Sequence, residues 1–124
     1  MSVNLERTEE VIKKLAEKKN SRGEPIELLT VSQIRNLLAM SADIYNEVLE
    51  YSDEKLNEKL LDRISYLTVR FYYEAGRNPK VKKFMERATL FDILKRIKTK
   101  EDYINYYHYM EGLVAFHRYY GGKD

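Results

Sequence analysis

The chain has 124 residues, 44% hydrophobic and 34% charged, with a formal net charge of +2. That balance suits one domain with a real core, and argues against a membrane span or a disordered tail. No cysteine is present, which excludes disulfides, thiol nucleophiles and Cys-ligated metal sites; "MSVNLERTEEVIKK" has no apolar run, so neither a signal peptide nor a membrane anchor is expected and a cytoplasmic protein is the default.

Five Gly and two Pro, set among segments rich in Leu, Glu and Lys, predict helix nearly throughout. A first helix is expected over residues 3–19, with Val3, Leu5, Val11, Ile12 and Leu15 as a modest apolar set. "NSRGEP" then breaks the chain with turn formers. Thr30, with Gln33 in capping-box position, starts a second helix. Its stripe is Val31, Ile34, Leu38, Ala42, Tyr45 and Leu49. "YSDE" follows, and Ser52 or Asp53 is expected to cap a third helix carrying Leu56, Leu60, Ile64, Leu67 and Phe71. Gly76 is expected to end it in a left-handed conformation, where Gly has no steric penalty.

Asn78-Pro79 restarts the chain, Asn as N-cap and Pro at the first helical position, where its missing N–H is no loss. Val81, Phe84 and Ala88 share a face, but Leu90, Leu94 and Ile97 point away from it. Two short helices, about 79–88 and 89–98, are therefore expected, with Thr89 and Asp92 capping the second. Thr99 and Asp102 cap a last helix running to Tyr120, and Gly121-Gly122 stops it. No strand pattern occurs, so the fold class is all-α, a compact bundle of about five to six helices.

The last helix is rich in aromatics. On a wheel of about 100° per residue, Tyr103, Tyr106, Tyr107, Met110, Leu113, Val114 and His117 share one side, widened by Tyr109, Phe116 and Tyr120. A base-stacking platform needs rings flanked by cations, and Arg118 is the only basic residue between Tyr103 and Tyr120. These rings therefore read as core. A thinner second stripe of Ile104, His108, Ala115 and Tyr119 is a candidate subunit contact. His108 and Glu111 have a spacing seen in metal sites, but His117 lies on the other face and no further ligand converges. No catalytic group, metal or cofactor is expected.

Charge is uneven along the chain. Residues 1–62 carry nine Lys and Arg against thirteen Asp and Glu, and residues 63–124 carry thirteen against seven. Such asymmetry marks either a solvated face or a polyanion-binding surface. "VRFYYEAGRNPKVKKF" sets Arg70, Arg77, Lys80, Lys82 and Lys83 around a helix N-terminus, whose dipole and free N–H groups favour anions. Nothing there is arranged to read base edges, so any nucleic-acid binding is expected to be independent of sequence. Lys82 is also placed to pair with Glu86, and Arg63 lies beside Arg70 on the margin of the third helix's apolar stripe.

"LTVSQIRNLLAMSADIYNEV", "LLDRISYLTVRFYYEAGR" followed by "VKKFMERA", and the terminal "YMEGLVAFHRYYGGKD" resemble the small helical subunit of the type III-A CRISPR (Csm) effector complex. The resemblance covers residues 29–124; residues 1–28 match only as a variable helix and linker, and the whole reads as one domain. It implies a non-catalytic subunit that stacks head to tail beside the backbone subunits. It also implies contacts with the crRNA–target RNA duplex through sugar and phosphate, and with the large polymerase-like subunit. Arg35, Arg63, Arg77 and Lys82 stand where the family places basic residues; Arg70, Lys80 and Lys83 occupy more variable positions. The competing class is a helical oligomerising interaction protein with no nucleic-acid role.

Overall fold

The computed structural model describes residues 4–124, so the expectation for Val3 lies outside the described residues. Six helices are found there: α1 (Leu5–Leu15), α2 (Val31–Glu50), α3 (Glu58–Arg77), α4 (Pro79–Arg87), α5 (Leu90–Lys95) and α6 (Lys100–Tyr119). No strand forms among the described residues; two isolated antiparallel bridges, Lys19 to Pro25 and Lys55 to Thr99, pin the loops. The all-α bundle expected from composition is the observed fold. α6 packs against α1 and α2, while α4 and α5 fold back onto α3.

Three helix starts form from the expected residues. Thr30 and Gln33 make a reciprocal capping box on α2, and Thr99 and Asp102 make another on α6. The Asn78 side chain accepts from the N–H groups of Lys80 and Val81, with Pro79 opening α4.

Other boundaries differ from the sequence reading. α1 stops at Leu15 rather than at 19, because the following loop is organised by Asn20, whose Oδ1 accepts from Arg22 N at 2.9 Å and Glu24 N at 3.1 Å. Leu5 is exposed rather than packed. α3 is capped by Asn57, not Ser52 or Asp53; Asn57 Oδ1 accepts from Leu60 N at 2.9 Å. Leu56 N meanwhile donates to Lys98 O at 3.1 Å, which holds the preceding segment out of the helix. Gly76 remains inside α3 and does not adopt a left-handed conformation. The stop comes instead at Asn78, at φ −145°, because the residue before Pro79 is sterically driven to extended backbone. Thr89 takes the left-handed conformation at φ 54° and makes no side-chain cap to Asp92. Its hydroxyl instead donates to Ala88 O at 2.7 Å and accepts from Arg7 Nη2 at 3.1 Å. The expected bend between α4 and α5 is therefore made by the backbone.

Tyr103, Tyr106, Tyr107, Met110, Leu113 and His117 are buried along α6, as expected for core aromatics, while Val114 is half-buried. The two deepest hydroxyls have partners. Tyr103 donates to Ser41 O at 2.7 Å, and Tyr106 meets Ser41 Oγ at 2.8 Å. Burial pushes the Tyr103 phenol upward, and does the same for Tyr106. On α2 the deepest row is Ile34, Leu37, Ser41, Ile44 and Val48. The expected stripe is displaced from it: Leu38, Ala42 and Tyr45 form a half-buried shoulder, and Leu49 is exposed. The helix turns Ser41 inward because Tyr106 supplies its polar partner.

Candidate nucleic-acid interface

α3 is amphipathic. Leu60, Ile64, Leu67, Phe71 and Ala75 bury one side. At about 100° per residue, Arg63, Arg70 and Arg77 lie within about 40° of one another on the flank of that side. The seven-residue spacing thus lays three arginine positions along one line of the helix. Arg63 is partly held, its Nη1 donating to Glu47 Oε1 at 2.6 Å. Arg70 is exposed. Arg77 Nη1 lies 3.8 Å from Glu74 Oε2, and its guanidinium stands 5.8 Å from the centroid of the Tyr73 ring. Arg63 and Arg70 edge a cleft of about 720 Å³ between α2 and α3, shared with Met40, Asp43 and Tyr66.

The lysines of α4 diverge. Lys82 is exposed, and its expected pairing with Glu86 does not form among the described residues. Lys83 Nζ donates to Glu27 Oε2 at 2.5 Å; that bond is the main cause holding the Glu27 carboxyl below its usual range. Lys80 is exposed beside a second cleft, lined in part by Gly121, Gly122 and Lys123.

Arg35 stands one turn into α2, exposed, near Asp124. Hydrogen bonds from Ser32 lower the Asp124 carboxyl pKa first, and the charges of Arg35 and Arg118 lower it further. Of the seven candidate residues, α3 brings Arg63, Arg70 and Arg77 into one row. Arg35 belongs to the α2 N-terminus and Lys83 is turned toward Glu27.

On α6, His108, Ala115 and Tyr119 of the second stripe are exposed, whereas Ile104 is half-buried against the chain's own core. His108 Nε2 lies 3.5 Å from the Tyr45 hydroxyl. Among the described residues no cluster of His, Cys, Asp or Glu could hold a metal ion, and no helix is long and apolar enough to cross a membrane.

Sequence reasoning missed the aromatic neighbours of the arginine row. Tyr66, Val69 and Tyr73 are exposed on α3. Their signal was available: they fall off the buried stripe at spacings of three and four, as a second row beside the arginines.

The family model for Csm2 Type III-A matches residues 9–123. The chain belongs to the Csm2 type III-A family. It is 43% identical over 97 residues to a Streptococcus thermophilus protein named CRISPR system Cms protein Csm2, covering 78% of this chain and 77% of that one. The Enterococcus italicus protein of the same name is 37% identical over 99 residues, 77% of this chain and 71% of its own. The Mycobacterium tuberculosis protein is 35% identical over 116 residues, 93% and 90% of the two chains. Membership in the Csm2 type III-A family bears out the resemblance read from the sequence, that of a small helical subunit of the type III-A CRISPR complex.

Proposed function

We propose that this chain is the non-catalytic small subunit of a cytoplasmic type III-A CRISPR–Csm RNA-guided interference complex. It stacks in a filament and holds the crRNA–target RNA duplex by its sugar–phosphate backbone. The carrying observation is the row of Arg63, Arg70 and Arg77 on one flank of α3. Guanidinium groups bind phosphate oxygens through paired N–H donors, and neutralising phosphates releases counterions whatever the base sequence. Arg35 and Lys82 extend the phosphate contacts from neighbouring elements, and Lys80 and Lys83 are secondary ones.

A single copy with so few phosphate partners binds weakly, but copies held side by side act together at high effective concentration. The backbone subunits and the large polymerase-like subunit are its protein partners; target cleavage lies with other subunits.

Filter binding by assembled complexes over a salt series tests this reading. Arg77→Ala or Lys82→Ala weakens binding about equally for unrelated targets and lowers the salt slope by roughly one counterion for each phosphate no longer neutralised. Identical affinity and slope in all variants would leave only a helical oligomerising protein without an RNA role. A loss confined to one target sequence would show base readout instead.

A further inference from the structure

The arginine row has an aromatic companion. Positions 63, 66, 70, 73 and 77 alternate by three and four, so Arg63, Tyr66, Arg70, Tyr73 and Arg77 stay within about 80° of the helix circumference over about 21 Å. Tyr66 is 64% exposed and Tyr73 63% exposed. The other exposed tyrosine of this helix is engaged: Tyr72 stacks on Phe91 with centroids 3.9 Å apart, and its hydroxyl accepts from Lys95 Nζ at 2.9 Å. Tyr66 has no ring partner among the described residues, and Tyr73 has only the Arg77 guanidinium.

Two solvated rings beside three cations match a ligand that is anionic and also presents flat π-faces. Between Arg63 and Arg77 the only acidic residue is Glu74, which is already close to Arg77. Arg63 is paired with Glu47 and Arg77 with Glu74, but Arg70 has no acidic partner among the described residues, so an apolar protein surface would have to cover its charge there. A polynucleotide would place phosphates on the arginines and bases on the rings.

We propose that Tyr66 and Tyr73 are stacking platforms for unpaired RNA bases, about 10.5 Å apart along α3. The assignment rests on the reading that the arginine row meets RNA. Phosphate contacts serve either form of RNA, but a ring can stack on a base only where the base has left its own stack.

The test uses the full chain at low salt and fluorescence anisotropy. One probe is a labelled oligoadenylate of about twelve nucleotides; the other is its abasic ribose–phosphate counterpart, of the same length and charge. Wild type binds the oligoadenylate more tightly. The double variant Tyr66→Ala/Tyr73→Ala loses that difference, about fivefold or more, with an unchanged salt slope, because a ring releases no counterions. Tyr66→Phe/Tyr73→Phe keeps wild-type affinity.

Arg63→Ala/Arg77→Ala reports separately on the underlying reading, by lowering the slope for both probes. If that slope falls while the tyrosine pair has no effect, stacking is wrong and phosphate binding stands. Equal wild-type affinity for the two probes, or no wild-type binding to either, also overturns the stacking assignment. So does unchanged RNA affinity in the tyrosine double variant with loss of self-association in sedimentation, which would make this face a protein contact. Both rings are solvated, so matching thermal melts are expected and guard against misfolding.

Discussion

Gly122 lies flat against the imidazole of His117: a Cβ at Gly122 would fall 2.1 Å from His117 Cε1 and 2.3 Å from Nδ1. Gly121 makes this approach possible by turning at φ 93°. Gly122 N then donates to His117 O at 2.8 Å, and the His117 Nε2–H donates to Leu29 O at 2.6 Å. The next residues close onto α2. Val31 N donates to Lys123 O at 3.1 Å, and Ser32 N and Oγ donate to Asp124 Oδ1 at 2.8 and 2.6 Å. The terminal "GGKD" therefore satisfies free N–H groups at the start of α2, where a carboxylate also suits the helix dipole.

Gly122→Ala should lower stability by about 1–3 kcal/mol, because the imidazole is boxed in and its partner is backbone. Chemical denaturation measures the loss. An unchanged midpoint would mean that the tail lifts away from His117 at little cost.

Stability should depend on pH through His117. Burial lowers its pKa below 6.5 first, the Leu29 carbonyl opposes that shift, and the Arg118 charge adds to it. The folded state thus favours the neutral ring. Its contribution is complete above the unfolded pKa and is lost as pH falls from about 6.5 through the lower folded value. Thermal melts between about pH 7.5 and 5 should show this fall, and His117→Gln should flatten it.

Tyr106 is a structural residue. Tyr106→Ala should cost roughly 3 kcal/mol or more, as other large-to-small core changes do. Tyr106→Phe should cost only about 1 kcal/mol, since Ser41 Oγ keeps its bond to Leu37 O at 3.1 Å. An unchanged melt for the Ala variant, with RNA binding abolished, would reverse this assignment.

Glu47 holds the Arg63 guanidinium that the proposed phosphate contact would need. Glu47→Ala should strengthen RNA binding about twofold or more at low salt, by releasing Arg63 and removing a negative charge. Stability should change by less than about 1 kcal/mol, because both side chains are partly solvated. Titration of assembled complexes reads the effect, and weaker binding by the variant would place Arg63 away from the RNA.

The isolated chain should self-associate through the exposed part of the second α6 stripe, His108, Ala115 and Tyr119. Sedimentation at increasing concentration should show a dimer or larger species that Tyr119→Glu disperses. A strictly monomeric wild type would confine any such interface to the assembled complex.

The sequence by itself determined the features that close within a few residues. Thr30 with Gln33, Asn78 with Pro79 and Thr99 with Asp102 start helices through bonds spanning two to four positions, so local composition suffices. The α3 core stripe and the pairing of Arg63 with Arg70 follow from the helical period alone; Arg77 joins that row only because α3 runs on through Gly76, which reads in the sequence as a helix stop. Tertiary structure decided the rest. Ser41 lies in the buried row of α2 because Tyr106, 65 residues away, satisfies its hydroxyl, and a polar residue in a core row reads as surface until that partner is known. Tyr103 and Tyr73 are the same residue type, yet one is buried against α2 and the other is solvated. Which helix covers a ring depends on packing between distant segments, not on the ring's own neighbours in the chain. "GGKD" read only as a helix stop, because its partners Leu29, Val31 and Ser32 come from a distant part of the sequence, and only folding brings those free N–H and C=O groups within reach.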